Sequence, residues 1–121
     1  MSPSQIRKSQ KLLQAIADQC LCQSSPLESA EKTAISRQVS LVCSGLRLPC
    51  PKPTESRKNT DLEKLGRKVE RFAYRIHDKN PDEAMWALWG IGLFLEQVEE
   101  TKAQRVLQAY REEAYDRFVN K

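Results

Sequence analysis

Glycine and ring side chains are both scarce in this chain. It has four glycines and eight Phe, Tyr or Trp residues among 121, while Gln, Glu, Lys, Arg, Ala and Leu abound. That balance argues against a sheet and for helices. The glycines, at 45, 66, 90 and 92, form no phosphate-cradling loop. Histidine occurs once, at 77, and no Glu-x-x-His pair exists to build a di-iron bundle. His77 shares a helix edge with Glu63 and Glu70 at heptad spacing, about 10 Å apart along the axis, too far to grip one metal. A surface or helix-end role is expected for it.

Long apolar runs are missing too. The longest, Ala84 to Leu95 in "DEAMWALWGIGLFLEQ", is twelve residues. As a helix it rises about 18 Å against a hydrocarbon core of roughly 30 Å, so it cannot span a bilayer. The acids around it, Asp82, Glu83, Glu96, Glu99 and Glu100, are wrong for an anionic lipid surface. No secretory signal is visible, because "KLLQAIADQ" breaks its run with Gln14 and Asp18. Myristoylation and prenylation motifs are also missing. The expectation is a cytoplasmic protein with no membrane contact.

Four cysteines, Cys20, Cys22, Cys43 and Cys50, match no common zinc spacing. On an α-helix Cys20 and Cys22 point about 200° apart, so joint chelation would require an unwound turn. Reduced thiols acting as small hydrophobes are expected. Adjacent carboxylates such as Glu99–Glu100 diverge on a helix and leave no acid–base pair. No catalytic, cofactor, metal or small-molecule motif emerges, which points to a non-enzyme.

What is present reads as an all-α bundle of four to five helices. Residues 1–44 form an N-terminal helical pair. The first helix runs from about Ser4 to Cys22 on a face of Ile6, Leu13, Ile16, Ala17, Cys20 and Leu21. "SSPLE" predicts the second helix start, with Ser25 as N-cap, Pro26 first and Glu28 closing a capping box. Its stripe takes Leu27, Ala30, Ala34, Ile35, Val39 and Val42 and ends near Gly45, although "QVSLVCS" also alternates like a short strand. Residues 45–59 hold Pro49, Pro51 and Pro53. They predict an extended loop, mobile at its polar end.

Residues 60–121 predict a three-helix unit. Thr60 with Glu63 caps a helix whose stripe is Leu62, Leu65, Val69, Phe72, Ala73 and Ile76. "NPDE" starts the next at Asn80, Pro81 and Glu83, and "TKAQ" a last one at Thr101 and Gln104. A break near 99–102 is favoured over one long rod, because Glu96, Glu99 and Glu100 interrupt the line that Val106 and Tyr110 continue. The whole is expected to be one compact domain.

The apolar residues Met85, Trp86, Leu88, Trp89, Ile91, Leu93, Phe94 and Leu95 surround their helix rather than stripe it. Such a helix wants neighbours all round. Met85, Trp86, Trp89, Leu93 and Phe94 are therefore expected to anchor the core or an interface with a second copy or another protein. Gly90 and Gly92 cost about 1 kcal/mol each inside a helix. They make sense where another backbone comes close or the helix bends.

Charge is unevenly placed. Residues 1–60 carry nine bases and four acids, while 61–121 carry eleven and twelve. Lys64, Lys68, Arg71, Arg75 and Lys79 fall in a band about 80° wide on helix 60–79, with Arg67 at its edge. The functional expectation is a non-enzymatic interaction or regulatory adaptor whose charged faces steer an acidic protein partner, homodimerisation included. The alternative is a nucleic-acid-binding accessory protein using the same band. No helix-turn-helix supports it, because the basic helix follows a Pro-rich loop.

Overall fold

The computed structural model describes residues 2–54 and 61–119. Among these it is all-α. Helix α1 spans Pro3–Ile16 and runs into a π-helical turn, Ala17–Leu21; α2 is Ser29–Leu46, α3 is Leu62–Lys79, and α4 is Glu83–Val119. No strand occurs among the described residues, so the "QVSLVCS" segment is helical.

Local chemistry sets the boundaries. Ser2 and Gln5 close a reciprocal capping box at the start of α1. The expected helix to Cys22 instead widens into the π turn, after which Cys22 turns extended. Both Cys20 and Cys22 are thereby buried. The second helix starts one turn later than "SSPLE" predicts. Ser25 Oγ accepts from the Leu27 N–H within a turn, and Leu27 is buried. The cap is Glu28, boxed with Glu31. Arg47 ends α2 in the left-handed region at φ 56°. Its N–H donates to Ser44 O, and the Leu48 N–H donates to Cys43 O, a Schellman closure that needs no glycine at Gly45.

Residues 48–54 adopt no regular secondary structure, and 55–59 lie outside the described residues. The described part is fastened to the first helix. Gln14 donates from its amide to Lys52 O at 2.8 Å, and the Thr54 N–H donates to Asp18 Oδ1 at 2.9 Å. The predicted Thr60 cap also lies outside the described residues. Asp61 is the N-cap of α3, accepting from the Lys64 N–H.

Asn80 closes α3 instead of opening α4: its N–H donates to Ile76 O, and its backbone is non-helical ahead of Pro81. The following helix is capped by Asp82, whose Oδ1 accepts from the Ala84 N–H at 2.8 Å. It then runs without a break for 37 residues, about 55 Å. The predicted break at 99–102 is absent. Thr101 does not cap a new helix, because its hydroxyl donates to Gln97 O one turn back. Among the described residues the C-terminal unit therefore has two helices, and the bundle four.

Helix α4 is the spine. One buried cluster draws on α1 (Leu12, Leu13, Ile16), α2 (Ile35, Val39, Val42), α3 (Leu65, Val69, Phe72, Ile76) and α4 (Met85, Leu88, Ile91, Leu95, Val98). α3 lies antiparallel to α4 and touches it backbone to backbone. A Cβ on Gly66 would come 2.6 Å from Gly92 O, and one on Gly92 would come 2.7 Å from Glu70 N. α2 approaches the other flank, where a Cβ on Gly45 would meet Ala84 Cβ at 2.7 Å. Gly90 meets nothing within 4 Å.

The core covers only the first sixteen residues or so of the spine. From Glu99 to Val119 every residue is exposed except the half-buried Lys102. This projecting length touches the body at its root, where Lys102 Nζ donates to Pro26 O and Arg105 pairs with Glu28 at 3.1 Å.

Candidate binding site: a basic cleft between two helices

The strongest polar pattern in the sequence becomes one side of a cleft. α3 buries Leu62, Leu65, Gly66, Val69, Phe72, Ala73 and Ile76, which turns its band of bases outward. α1 reaches this side at Lys8, a cation that the band alone did not reveal. Lys8 Nζ lies 5.2 Å from the centroid of the Phe72 ring, a cation–π distance. Together Lys8, Lys64, Arg67, Lys68, Arg71, Phe72 and Arg75 line a cleft of about 580 Å³. Lys79 is exposed at the end of α3 and is not part of its wall.

Six cations and one aromatic ring, without a carboxylate, make this wall. Among the described residues Arg67 alone of the six has an ion-pair partner, Glu63 at 3.5 Å, and that pair is half-exposed. Such pairs contribute little. No acid of α3 lines the cleft: Glu63 pairs with Arg67 at its edge, Glu70 lies beside Glu96, and neither Asp61 nor Asp78 belongs to its wall. The cleft is therefore more positive than the helix's composition suggests. Its donors are arranged about once per turn along roughly 16 Å of axis, and it presents no acceptor.

The opposite edge of α3 has its own chemistry. The close helix crossing brings Glu70 beside Glu96. A hydrogen bond between the two carboxyls, then burial and repulsion by Glu70, hold the Glu96 carboxyl above its ordinary range, against the pull of Arg67 and Arg71. Two carboxyls sharing a proton cannot both ionise freely.

His77 is held at the α3–α4 turn. Its Nδ1 accepts from the Asp82 N–H at 3.3 Å. The ring lies 4.1 Å from that of Trp86, and Trp86 meets Trp89 edge-on at 5.2 Å. The histidine thus ties the turn to the indoles. Among the described residues no three His, Cys, Asp or Glu side chains converge as a metal site.

The apolar anchors divide. Met85 is fully buried and serves the chain's own core, whereas Trp86 is 46% exposed. Trp89 and Phe94 pack partly against the core, and Leu93 is half-buried. Full enclosure of this helix is therefore not observed: its outer side carries Trp86 and the open Gly90. Among the described residues no helix is long and apolar enough to cross a membrane.

Cys20, Cys22 and Cys43 are buried and Cys50 is exposed. Burial, then the neighbouring Cys22, pushes the Cys20 thiol up to about 12. Burial, then repulsion by Cys50 and donation of the Cys43 thiol to Cys50, pushes Cys43 up to about 11. Comparison with known proteins returns no matching family model, curated relative or solved structure.

Proposed function

We propose that this chain is a small non-enzymatic interaction protein that docks an acidic protein partner in the cleft between α1 and α3. One observation carries the reading: Lys8, Lys64, Lys68, Arg71 and Arg75 converge on one concave wall with no ion-pair partner among the described residues. Such a wall concentrates positive potential and steers an anionic surface into contact. Phe72 beneath Lys8 supplies an apolar floor for side chains between the acids. The exposed indole of Trp86 is a separate anchor at the α3–α4 turn.

A second reading uses the same wall for a nucleic-acid backbone. The regular cation spacing over roughly 16 Å favours it, since one duplex strand sets about five phosphates along that length. The two are separated by titrating labelled acidic peptides, duplex DNA and RNA against the full chain at several salt concentrations. Our reading expects the acidic peptide to bind and the Lys64→Glu/Lys68→Glu/Arg71→Glu variant to lose it. A log–log salt slope near −4 on generic DNA or RNA, with no peptide binding, would establish the second reading instead. Failure of all three ligands to bind at low salt refutes both.

A further inference from the structure

Helix α4 continues about 30 Å beyond the body, and one side of that projection is apolar. Leu107 is 56% exposed, Tyr110 67% and Phe118 83%. Ala103, Leu107, Tyr110 and Ala114 follow one another at spacings of four, three and four, the a/d seam of a coiled coil. The same seam carries Glu100 before Ala103 and Arg117 after Ala114. The root contacts of Lys102 and Arg105 lie on another side of the helix and leave this seam uncovered.

We propose that the occupant of this seam is the same segment of a second copy, running antiparallel. The charges select the arrangement. About a two-fold axis that sets Leu107 against Tyr110 of the other copy, Ala103 falls opposite Ala114, and Glu100 falls opposite Arg117. Two Ala–Ala and two Leu–Tyr layers are then closed at each end by an ion pair. Val106 and Phe118, both exposed, flank the seam and add area. A parallel pairing would set Glu100 against Glu100 and Arg117 against Arg117, like charges in the same layer. An antiparallel slip of one heptad either way places Glu100 against Tyr110 or Arg117 against Leu107, and so buries a charge on an apolar side chain.

Arg117 is free to take the new partner. Its present bond to Glu113 at 2.8 Å joins two exposed side chains within one helix, and such a pair contributes little. The seam is short, about 26 Å, and lies at the small end of specific interfaces. The dimer is accordingly a micromolar one, populated when the chain is concentrated. None of the cleft's residues takes part, so this inference stands apart from the ligand proposed for the cleft.

Sedimentation equilibrium of the full chain, from low to high micromolar concentration, tests it. The expected result is a reversible monomer–dimer equilibrium that Leu107→Glu/Tyr110→Glu abolishes. Both residues are exposed in the single chain, so the far-ultraviolet spectrum of the core is unchanged. Glu100→Arg alone and Arg117→Glu alone each weaken the dimer about tenfold, since each turns two attractive pairs repulsive. The double exchange Glu100→Arg/Arg117→Glu restores it. A chain that stays monomeric throughout overturns the proposal. So does a dimer indifferent to Leu107→Glu/Tyr110→Glu, or one that the double exchange fails to rescue.

Discussion

Gly90 and Gly92 stand two residues apart on α4, and the same substitution at each should move stability in opposite directions. An added Cβ on Gly90 enters open space. Alanine there recovers about 0.8–1 kcal/mol of helix propensity, partly by restricting the unfolded chain. Unfolding entropy of about 2.1 cal/mol/K per residue gives roughly 0.25 kcal/mol/K for a chain of this length, so Tm should rise about 4 °C. Gly92→Ala makes the same propensity gain and loses more. Its Cβ would lie 2.7 Å from Glu70 N, 2.8 Å from Gly66 O and 2.9 Å from Glu70 Cα. All three are backbone atoms that cannot swing aside. The two helices must separate by more than half an ångström to restore ordinary contact, which loosens Val69 and Leu95 along the shared seam. Overpacking of this kind costs about 1–3 kcal/mol, and a backbone-to-backbone contact belongs at the upper end. The net loss is then about 2 kcal/mol, a fall in Tm of roughly 8 °C. Urea and thermal unfolding followed by far-ultraviolet circular dichroism reads both. Gly92→Ala melting at or above Gly90→Ala would refute the close crossing of α3 and α4.

Thiol chemistry and pH give two further tests. In the native protein Cys50 should react with a water-soluble disulfide reagent at the rate of a free thiol. Cys20, Cys22 and Cys43 should react only after urea is added, and fast labelling of Cys20 would contradict its burial. Around Asp18, burial would raise the carboxyl, but donation from the Thr54 backbone and from the side chains of Gln14 and Thr54 outweighs it and holds the pKa down. A carboxyl depressed on folding adds stability above its unfolded value, and loses that contribution as pH falls through its folded one. Asp18→Ala should therefore cost about 1 kcal/mol at neutral pH and almost nothing at pH values below the ordinary carboxylate range. A variant equally destabilised at both would show that the Thr54 and Gln14 bonds do not favour the charged form.

The class of fold and the buried stripe of α3 were legible because local pattern decides them. Leu62, Leu65, Val69, Phe72, Ala73 and Ile76 repeat with the helical period, and all six are buried. Helix ends were read less well, since several capping grammars compete within one turn. Ser25 has the better capping chemistry, yet its hydroxyl closes a turn on the Leu27 N–H and the helix starts behind Glu28. Thr101 looked like a cap and spends its hydroxyl on the preceding turn. The basic band was visible from spacing alone, but the cleft was not. Lys8 is separated from Phe72 by more than sixty positions, and no periodicity on either helix records their meeting. Gly66 was read only as no part of a phosphate-cradling loop, although it is the counterpart of Gly92 at the helix crossing.

The two ends of α4 look contradictory only if one apolar face is expected to run its length. The core face of Ala84, Leu88, Ile91 and Leu95 and the outer seam of Ala103, Leu107, Tyr110 and Ala114 differ by about 100° around the axis. Glu96, Glu99 and Glu100 sit where the first face stops and the second begins. A chain break there would have let each face pack on the body, and three glutamates within five residues weaken the apolar contact that a returning helix would need. Continuity of the helix follows, and with it the exposure of the second face. The same acids then gain distinct roles: Glu96 joins Glu70 at the helix crossing, and Glu100 is the charge that distinguishes one pairing register of the projecting segment from all others.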